Sequence, residues 1–449
     1  MKLKSELLAK YDVPVPRYTS YPTVPYWTDS PSTEQWLASI RQAVRPGMSW
    51  SMYIHVPFCE TLCTFCGCNN VITKDHGRES PYVATVLKEL AAYQRQVPEL
   101  FLKPLKQLHL GGGTPTFLNP RHLRELVEPI MKMVNRGAEF EGSVEVDPRR
   151  TSIEQLQVLR ELGFNRVSMG VQDFNPEVQR LVNRIQPLAD TKRLTEQARG
   201  IGYSSVNYDL IYGLPKQTLE SFTETAKQTV ELRPDRIALY SFALVPWIKP
   251  QQRLFKDSDL PVGEEKRGLY EKAYEILTAA GYVEIGMDHF ALADEALSLA
   301  HRDRKLHRNF MGYTDQRTDI LLGVGVSAIS ESPNCFHQNE KVLPVYERRV
   351  NSGEIPTLRG HVLSDQDQLH RELILKFMTE SQVELPTDAM AEDARAFLAE
   401  MIADGLVEVQ GRKLSVTEAG SPFLRNACVV LDQRMRNAKP ATKIFSQAV

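Results

Sequence analysis

Apolar and β-branched runs recur along the first half of the chain at 51–56, 107–111, 143–147, 166–171, 205–212 and 236–244, and longer stretches of a different period lie between them. Leu123, Leu126, Val127, Ile130, Met131 and Val134 follow the i, i+3, i+4, i+7 spacing of a helix with one buried face. Residues 222–232 and 269–280 repeat that period. Strands alternating with helices predict parallel pairing through right-handed crossovers. Six such units are too few for a closed eight-stranded barrel. No dinucleotide-binding glycine fingerprint follows the first run. The fold class is therefore α/β, with a partial (β/α)6 TIM-like barrel over residues 46–335.

Other patterns flank this rhythm. Residues 1–45 form an expected N-terminal arm, whose prolines at 14, 16 and 22 cannot continue a helix. Such an arm is either a packing strap or a lid that brings Arg17 and Tyr18 to an active site. Beyond the barrel, 336–361 reads as a linker. Residues 362–449 then turn mainly helical, with amphipathic stretches at 368–378 and 393–403 followed by two short strands between 405 and 417. That order predicts a small winged-helix-like C-terminal domain.

Chemistry-bearing residues fall where a barrel places its active site, at the C-terminal ends of the strands. A cysteine loop follows the first strand, and Gly111, Gly112 and Gly113 follow the second. Glu145 and Asp147 end the third strand, Gln172 and Asp173 the fourth, Asp209 lies in the fifth, and Ala243 closes the sixth. Tyr53 and His55 alternate on the first strand, so both side chains can face the interior together.

Composition narrows the class without changing the fold. The 449 residues are 42% hydrophobic and 24% charged with a formal net charge of −2, an ordinary soluble composition with no basic excess for nucleic acid. The two amphipathic C-terminal stretches carry mixed charge, so DNA binding is not expected there. No apolar run approaches the roughly 18 residues that cross a bilayer, and the first residues lack the apolar core of a signal peptide. The expectation is a cytoplasmic protein, monomeric and not inserted in a membrane.

Four of the six cysteines, Cys59, Cys63, Cys66 and Cys68, crowd into ten residues, whereas Cys335 and Cys428 stand apart as expected buried thiols. Clustered thiols in a reducing compartment indicate metal or redox work. Structural zinc usually draws two close pairs from separate knuckles, so zinc would need all four ligands from one cramped loop. Three thiolates spaced C-x3-C-x2-C on a [4Fe-4S] cube leave one iron open to a chelating ligand, and this reading is favoured over zinc and over unliganded thiols.

That spacing after the first strand of a partial barrel resembles the radical S-adenosylmethionine superfamily. PRYTSYPT at 16–23, YIHVP at 53–57, the fourth cysteine Cys68, NRVSMGVQD at 165–173, DLIYGLP at 209–215, MDHFA at 287–291, LHRNF at 306–310 and LLGVGVSAIS at 321–330 resemble one of its families more closely. This is the bacterial oxygen-independent coproporphyrinogen III oxidases, and the similarity runs from about residue 10 to 436. It implies a [4Fe-4S] cluster on Cys59, Cys63 and Cys66, with S-adenosylmethionine on the open iron. It implies two molecules of that cofactor, one at Tyr53, Gly112, Glu145 and Ile329. The other would lie at Phe65, Gly113, Thr114, Gln172, Arg184, Asp209 and Ala243.

The implied activity is loss of CO2 from two propionates of coproporphyrinogen III to give protoporphyrinogen IX in haem biosynthesis, with an unidentified electron donor and acceptor. Tyr53, His55 and Cys68 become catalytic candidates, Cys68 as a proton or hydrogen relay. Arg17, Lys249, Arg253 and Arg308 are candidates for the retained propionates, since cations of these types match carboxylates. The rival readings are another radical enzyme of tetrapyrroles, either a methyltransferase or a haem-degrading paralogue, and a haem chaperone; Cys68 and the arm count against them. Leu110 and Leu244 depart from the tryptophan and histidine expected at these places in many relatives.

Overall fold

A computed structural model describes residues 5–437 together with Phe445 and Gln447. Residues 1–4 of the expected arm, and the rest of 438–449 in the expected C-terminal domain, lie outside the described residues.

The six expected strands form as β1 (Trp50–Val56), β2 (Pro104–Gly112), β3 (Asn135–Val146), β4 (Phe164–Gln172), β5 (Ser205–Tyr212) and β6 (Arg236–Ser241). They pair in parallel, in chain order. Helices α1 (Glu79–Gln96), α2 (Pro120–Met133), α3 (Ile153–Glu161), α4 (Leu188–Gly200) and α5 (Leu219–Leu232) connect them, and α6 (Gly263–Ala279) follows β6. Asn119 caps α2 through His122 N–H, and Ser152 and Thr218 close capping boxes on α3 and α5. The apolar stripe of α2 buries Leu123, Leu126, Val127 and Ile130 against the sheet, and each such side chain contributes about 1.5–3 kcal/mol by leaving water.

The sheet is longer than the six units. Beyond β6 come β7 (Tyr282–Gly286) and β8 (His289–Leu292), and beyond β1 come β9 (Ile320–Val324), β10 (Ile329–Ser332), β11 (Cys335–Asn339) and β12 (Thr357–Val362). The order is β12-β11-β10-β9-β1-β2-β3-β4-β5-β6-β8-β7, an open twelve-stranded sheet. β9 is a seventh parallel strand, alongside β1. Its glycine hides it in the sequence, yet at Gly323 a Cβ would lie 2.3 Å from the Ile329 carbonyl, so the following strand can return only over a bare backbone.

The stretch expected as a linker, 336–361, instead supplies most of β11, a helix at Leu343–Asn351 and β12. Its polar residues hide the strand because they are buried with partners. His337 stacks on Trp36 at 5.1 Å, and Asn339 donates to Glu89 at 2.7 Å and to the Gly325 carbonyl at 2.8 Å. β6 also stops at Ser241, short of 244, and the chain from 242 to 254 folds back over the cysteine loop.

The barrel core gathers Trp36, Trp50, Met52, Ile54, Leu108 and Val144. A second core packs the helix Asp365–Glu380 and the three-stranded antiparallel sheet of Gln382–Glu384, Lys413–Val416 and Val407–Gln410; the first of these three strands was not expected. Leu8, Tyr11, Tyr18 and Tyr21 of the arm enter this core. Tyr18 Oη donates to Asp432 at 3.2 Å, and the Arg425 guanidinium donates to the Pro16 carbonyl at 3.0 Å and also holds that of Val15. Tyr18 is thus part of a strap and not of a lid. No helix among the described residues is long and apolar enough to cross a membrane.

Candidate active site

Register fixes the first wall of the barrel mouth. Tyr53 lies opposite His109 and His55 opposite Gly111 across β1 and β2. The Tyr53 and His109 rings stack at 5.7 Å. His55 Nε2 faces the Asn69 carbonyl at 2.8 Å, so this nitrogen carries the proton and Nδ1 accepts from Tyr53 Oη at 3.0 Å. Burial holds the His55 imidazole below its ordinary pKa, which keeps it neutral. His109 continues the circuit, with Nε2 donating to Glu145 Oε1 at 3.1 Å and Nδ1 accepting from Ser143 Oγ at 2.7 Å. Burial works against charge on Glu145, but the His109 donor and the Gly112 N–H at 3.2 Å bring its pKa below the usual value. A Cβ at Gly112 would lie 2.8 Å from the His55 ring, and one at Gly113 2.6 Å from the Pro57 carbonyl. The glycines therefore let the second rim close against the first.

The cysteine loop leaves β1 toward this rim. Cys63 is buried, Cys59 and Cys66 half-buried, and Cys68 exposed. Cys59 Sγ lies 3.4 Å from Thr114 Oγ1, and burial pushes its thiol up to about 11. The proximity of the Cys66 and Cys68 thiols favours the thiolate on Cys66 and the neutral thiol on Cys68. Asn70 Nδ2 approaches Cys66 Sγ at 3.5 Å. Cys63 Sγ faces two guanidiniums, Arg184 at 3.7 Å and Arg149 at 4.0 Å. Three soft donors in one loop, with two cations beside Cys63, are the donor set of an anionic [4Fe-4S] cluster with one iron left open, although among the described residues the side chains are not gathered into a preformed metal site.

Asp147 orders those cations. Its carboxylate takes Arg149 Nε at 2.9 Å and Nη2 at 2.6 Å, and lies 3.4 Å from Arg184 Nη1. Burial opposes its charge, yet the two arginines hold its pKa down at about 2. Arg184 also donates to the Gly170 carbonyl at 2.5 Å. Gln172 sits beside it in the left-handed region at φ 68°, a conformation that a non-glycine residue holds only where its surroundings impose it. On β5, Asp209 accepts from Asn207 at 2.9 Å and Ser168 at 3.2 Å, and burial, then the Glu145 charge, raises it to about 6. Phe65 packs with Val182, Leu214, Phe242 and Leu244 in an apolar cluster beside Ala243.

Beside β6 and β8, cations from other segments gather around Tyr240 and His289. Arg17 pairs with Asp288 and lies 5.7 Å from the Tyr240 ring centre. Arg308 is 6% exposed, stacks 4.6 Å from the Tyr313 ring centre, and has no partner for Nε and Nη1 among the described residues. His289 lies between Tyr240 and Tyr313, and burial pushes its imidazole down to about 4. Burial, then repulsion from Arg17, lowers Arg425 to about 9.

The remaining expected residues are placed differently. Lys249 Nζ donates to the Cys68 carbonyl at 2.9 Å. Arg253 is exposed. Ile329 lies in β10 beside Phe336, Phe310 and Trp27 of the arm. Cys335 and Cys428 are buried free thiols. Leu110 is core, and Leu244 joins the apolar surroundings of Phe65. His109, Arg149 and Gln252 had no place in the expected site. His109 was discoverable, because the period of two puts it on the face of Gly111; the other two needed the fold.

The family model of the radical SAM superfamily matches residues 53–229. The oxygen-independent coproporphyrinogen III oxidase of Escherichia coli strain K12 is 41% identical over 453 residues, covering 99% of this chain and 98% of that one. Its counterpart from Pseudomonas aeruginosa is 38% identical, covering 96% and 95% of the two chains, and that from Synechocystis is 38% identical, covering 100% and 98%. The solved structure of coproporphyrinogen III oxidase from Escherichia coli, described as a radical SAM enzyme, matches with a TM-score of 0.90 at 39% identity, over 96% of this chain and 100% of that one. From strand order, rim chemistry and full-length likeness together, this chain belongs to the oxygen-independent coproporphyrinogen III oxidases, a family of radical S-adenosylmethionine enzymes.

Proposed function

We propose that this enzyme removes CO2 from two propionates of coproporphyrinogen III without oxygen, leaving vinyl groups, with Cys59, Cys63 and Cys66 holding its [4Fe-4S] cluster. The supporting observation is the asymmetry of the barrel mouth. Thiols and a fixed acceptor–cation set occupy one wall, and buried cations occupy the other. When bound, the cluster and S-adenosylmethionine supply a primary alkyl radical strong enough to take a hydrogen from the unactivated propionate β-carbon.

The chain's own residues bind and orient. Arg184 offers a cation for the cofactor carboxylate, and Glu145 and Asp209 offer acceptors for its ammonium and ribose hydroxyls. Two cofactor molecules are proposed, the first at Tyr53, Gly112, Glu145 and Ile329. The second meets Phe65, Gly113, Thr114, Gln172, Arg184, Asp209 and Ala243. Phe65 provides an apolar surface for adenine. Arg308 and Arg17 anchor propionates on the far wall, where a carboxylate would supply the acceptor that Arg308 lacks among the described residues. Lys249, which gives one of its three donors to the Cys68 carbonyl, and Arg253 are the further candidates for a propionate.

Tyr53, His55 and Cys68 handle protons beside the cluster loop. His55 fixes the Tyr53 hydroxyl proton toward Nδ1, and Cys68 is the accessible thiol of the loop, suited to pass a proton or hydrogen to or from substrate. Each decarboxylation also releases one electron to an acceptor outside this chain's residues, and reduction of the cluster draws on an outside donor.

The test is anaerobic incubation of cluster-reconstituted protein with coproporphyrinogen III and S-adenosylmethionine. The expected products are CO2, protoporphyrinogen IX and 5′-deoxyadenosine. A methylated tetrapyrrole, or haem binding with no CO2, would rule the proposal out.

A further inference from the structure

The two halves of the cysteine loop are held by different means. Backbone contacts fix the first half: Thr73 N–H donates to the Cys59 carbonyl at 2.9 Å and Thr64 N–H to that of Val182 at 3.1 Å. Asn183 Nδ2 adds a bond to the Leu62 carbonyl at 2.7 Å. In the second half the carbonyls accept side chains from one distant segment. Gln252 Nε2 reaches the Phe65 carbonyl at 3.3 Å, Gln251 Nε2 that of Cys66 at 3.1 Å, and Lys249 Nζ that of Cys68 at 2.9 Å.

That segment follows β6 and is itself folded by turns. Lys249 N–H donates to the Val245 carbonyl at 2.9 Å, Gln252 N–H to that of Lys249 at 3.0 Å, and a 3-10 turn spans Pro250–Leu254. Gln252 is 2% exposed and its amide is fully used. Beyond the Phe65 bond, Nε2 reaches the Ala243 carbonyl at 3.2 Å, and Oε1 accepts Val245 N–H at 2.6 Å. One side chain therefore ties Phe65 of the loop to Ala243 of the barrel rim.

We infer that Gln252, assisted by Gln251 and Lys249, is a positioning clamp that locks the Phe65–Cys68 half of the cysteine loop onto the rim after β6. Each neutral bond contributes about 0.5–1.5 kcal/mol, and several acting together are comparable to the free energy of opening a surface loop. Phe65 and Cys66 then keep a fixed separation from Ala243. The effect on S-adenosylmethionine rests on the cofactor placement proposed above, whereas the effect on the loop does not.

Gln252→Leu removes every side-chain bond of the clamp residue. Gln252→Glu keeps the acceptor for Val245 N–H but loses both donors. Hydrogen–deuterium exchange of the full chain, before and after cluster reconstitution, reads the loop directly. Both variants are expected to exchange at residues 64–68 about tenfold faster, the factor that 1.4 kcal/mol produces, with β1 and β4 unchanged. The dissociation constant for S-adenosylmethionine is expected to rise by about the same factor with iron content retained. Lys249→Ala should give a smaller rise confined to the Cys68 end. Unchanged exchange at 64–68, or an increase shared equally by the barrel strands, would overturn the clamp. Faster exchange with unaltered cofactor affinity supports the clamp and counts against placing the cofactor on Phe65 and Ala243.

Discussion

On the β1–β4 side of the barrel mouth, most polar side chains are matched to one another before any ligand arrives, with Arg184 Nε the buried exception among the described site residues. Tyr53 donates to His55, Glu145 receives His109 and Gly112, and Asp147 lies between two arginines. On the β6–β8 side, Arg308 and His289 keep buried ring or guanidinium nitrogens with no partner among the described residues. The difference teaches which wall is preorganised and which is completed by its ligand. A site that must aim reactive groups within fractions of an ångström benefits from closed pairs. A site that takes up a flexible polyanion benefits from a positive surface left short of acceptors.

The largest expected effect lies within the loop of the preorganised wall. Cys66→Ser should lose the reconstituted cluster and all decarboxylation, because a proposed thiolate ligand is gone. Cys68→Ser should keep the iron content while turnover falls by about 100-fold, the scale of a lost proton-transfer group. Iron and sulfide assays beside CO2 release separate the two, and a Cys68→Ser enzyme with full turnover would remove the relay.

Removing one charge from each wall tests the comparison itself. Asp147→Ala leaves Arg149 and Arg184 facing each other, and should cost about 3–5 kcal/mol in denaturant unfolding, as for other broken buried pairs. Arg308→Met removes a buried cation with unmatched donors, and should raise stability by about 1–3 kcal/mol. The same change should raise KM for coproporphyrinogen III and leave that for S-adenosylmethionine unmoved. Equal destabilisation by both changes would erase the distinction.

A pH series gives a smaller effect. Asp209 has its pKa raised to about 6 from 3.8. Protonation is therefore favoured by folding, and its contribution to stability is full below 3.8 and lost as pH rises through 6. Cofactor affinity should move the opposite way, weakening as pH falls through 6 and the acceptor protonates. Asp209→Asn should flatten both curves in thermal melts and equilibrium binding. The smallest effect belongs to the strap: Tyr18→Phe deletes the bond to Asp432 and should lower stability by about 0.5–1.5 kcal/mol with turnover unchanged.

Much of the preorganised wall was legible because its residues follow the short periods of strands. Tyr53 and His55 alternate, Glu145 falls at a strand end and Asp209 within its strand, and the cysteines are close together in the chain. The other wall was legible only as a set of basic candidates. Arg17 lies on a strap, Arg308 on a short strand outside the main sheet, and the approach of Arg17 to Asp288 spans 271 positions of the chain. Lys249 shows the limit of residue type: the same ammonium that could bind a propionate is held by a loop carbonyl 181 positions away.

The sequence alone determined the strand–helix alternation, the spacing of the thiols and the polar strand ends, since each depends on neighbours within a few residues. The tertiary structure decided the rest. It made β9 a parallel partner of β1 and turned 336–361 into sheet edge. It set Arg149 and Arg184 across Asp147, and brought Gln252 to Phe65. These depend on contacts between distant segments, whose closure is governed by burial and by the need to satisfy buried polar groups, not by local period.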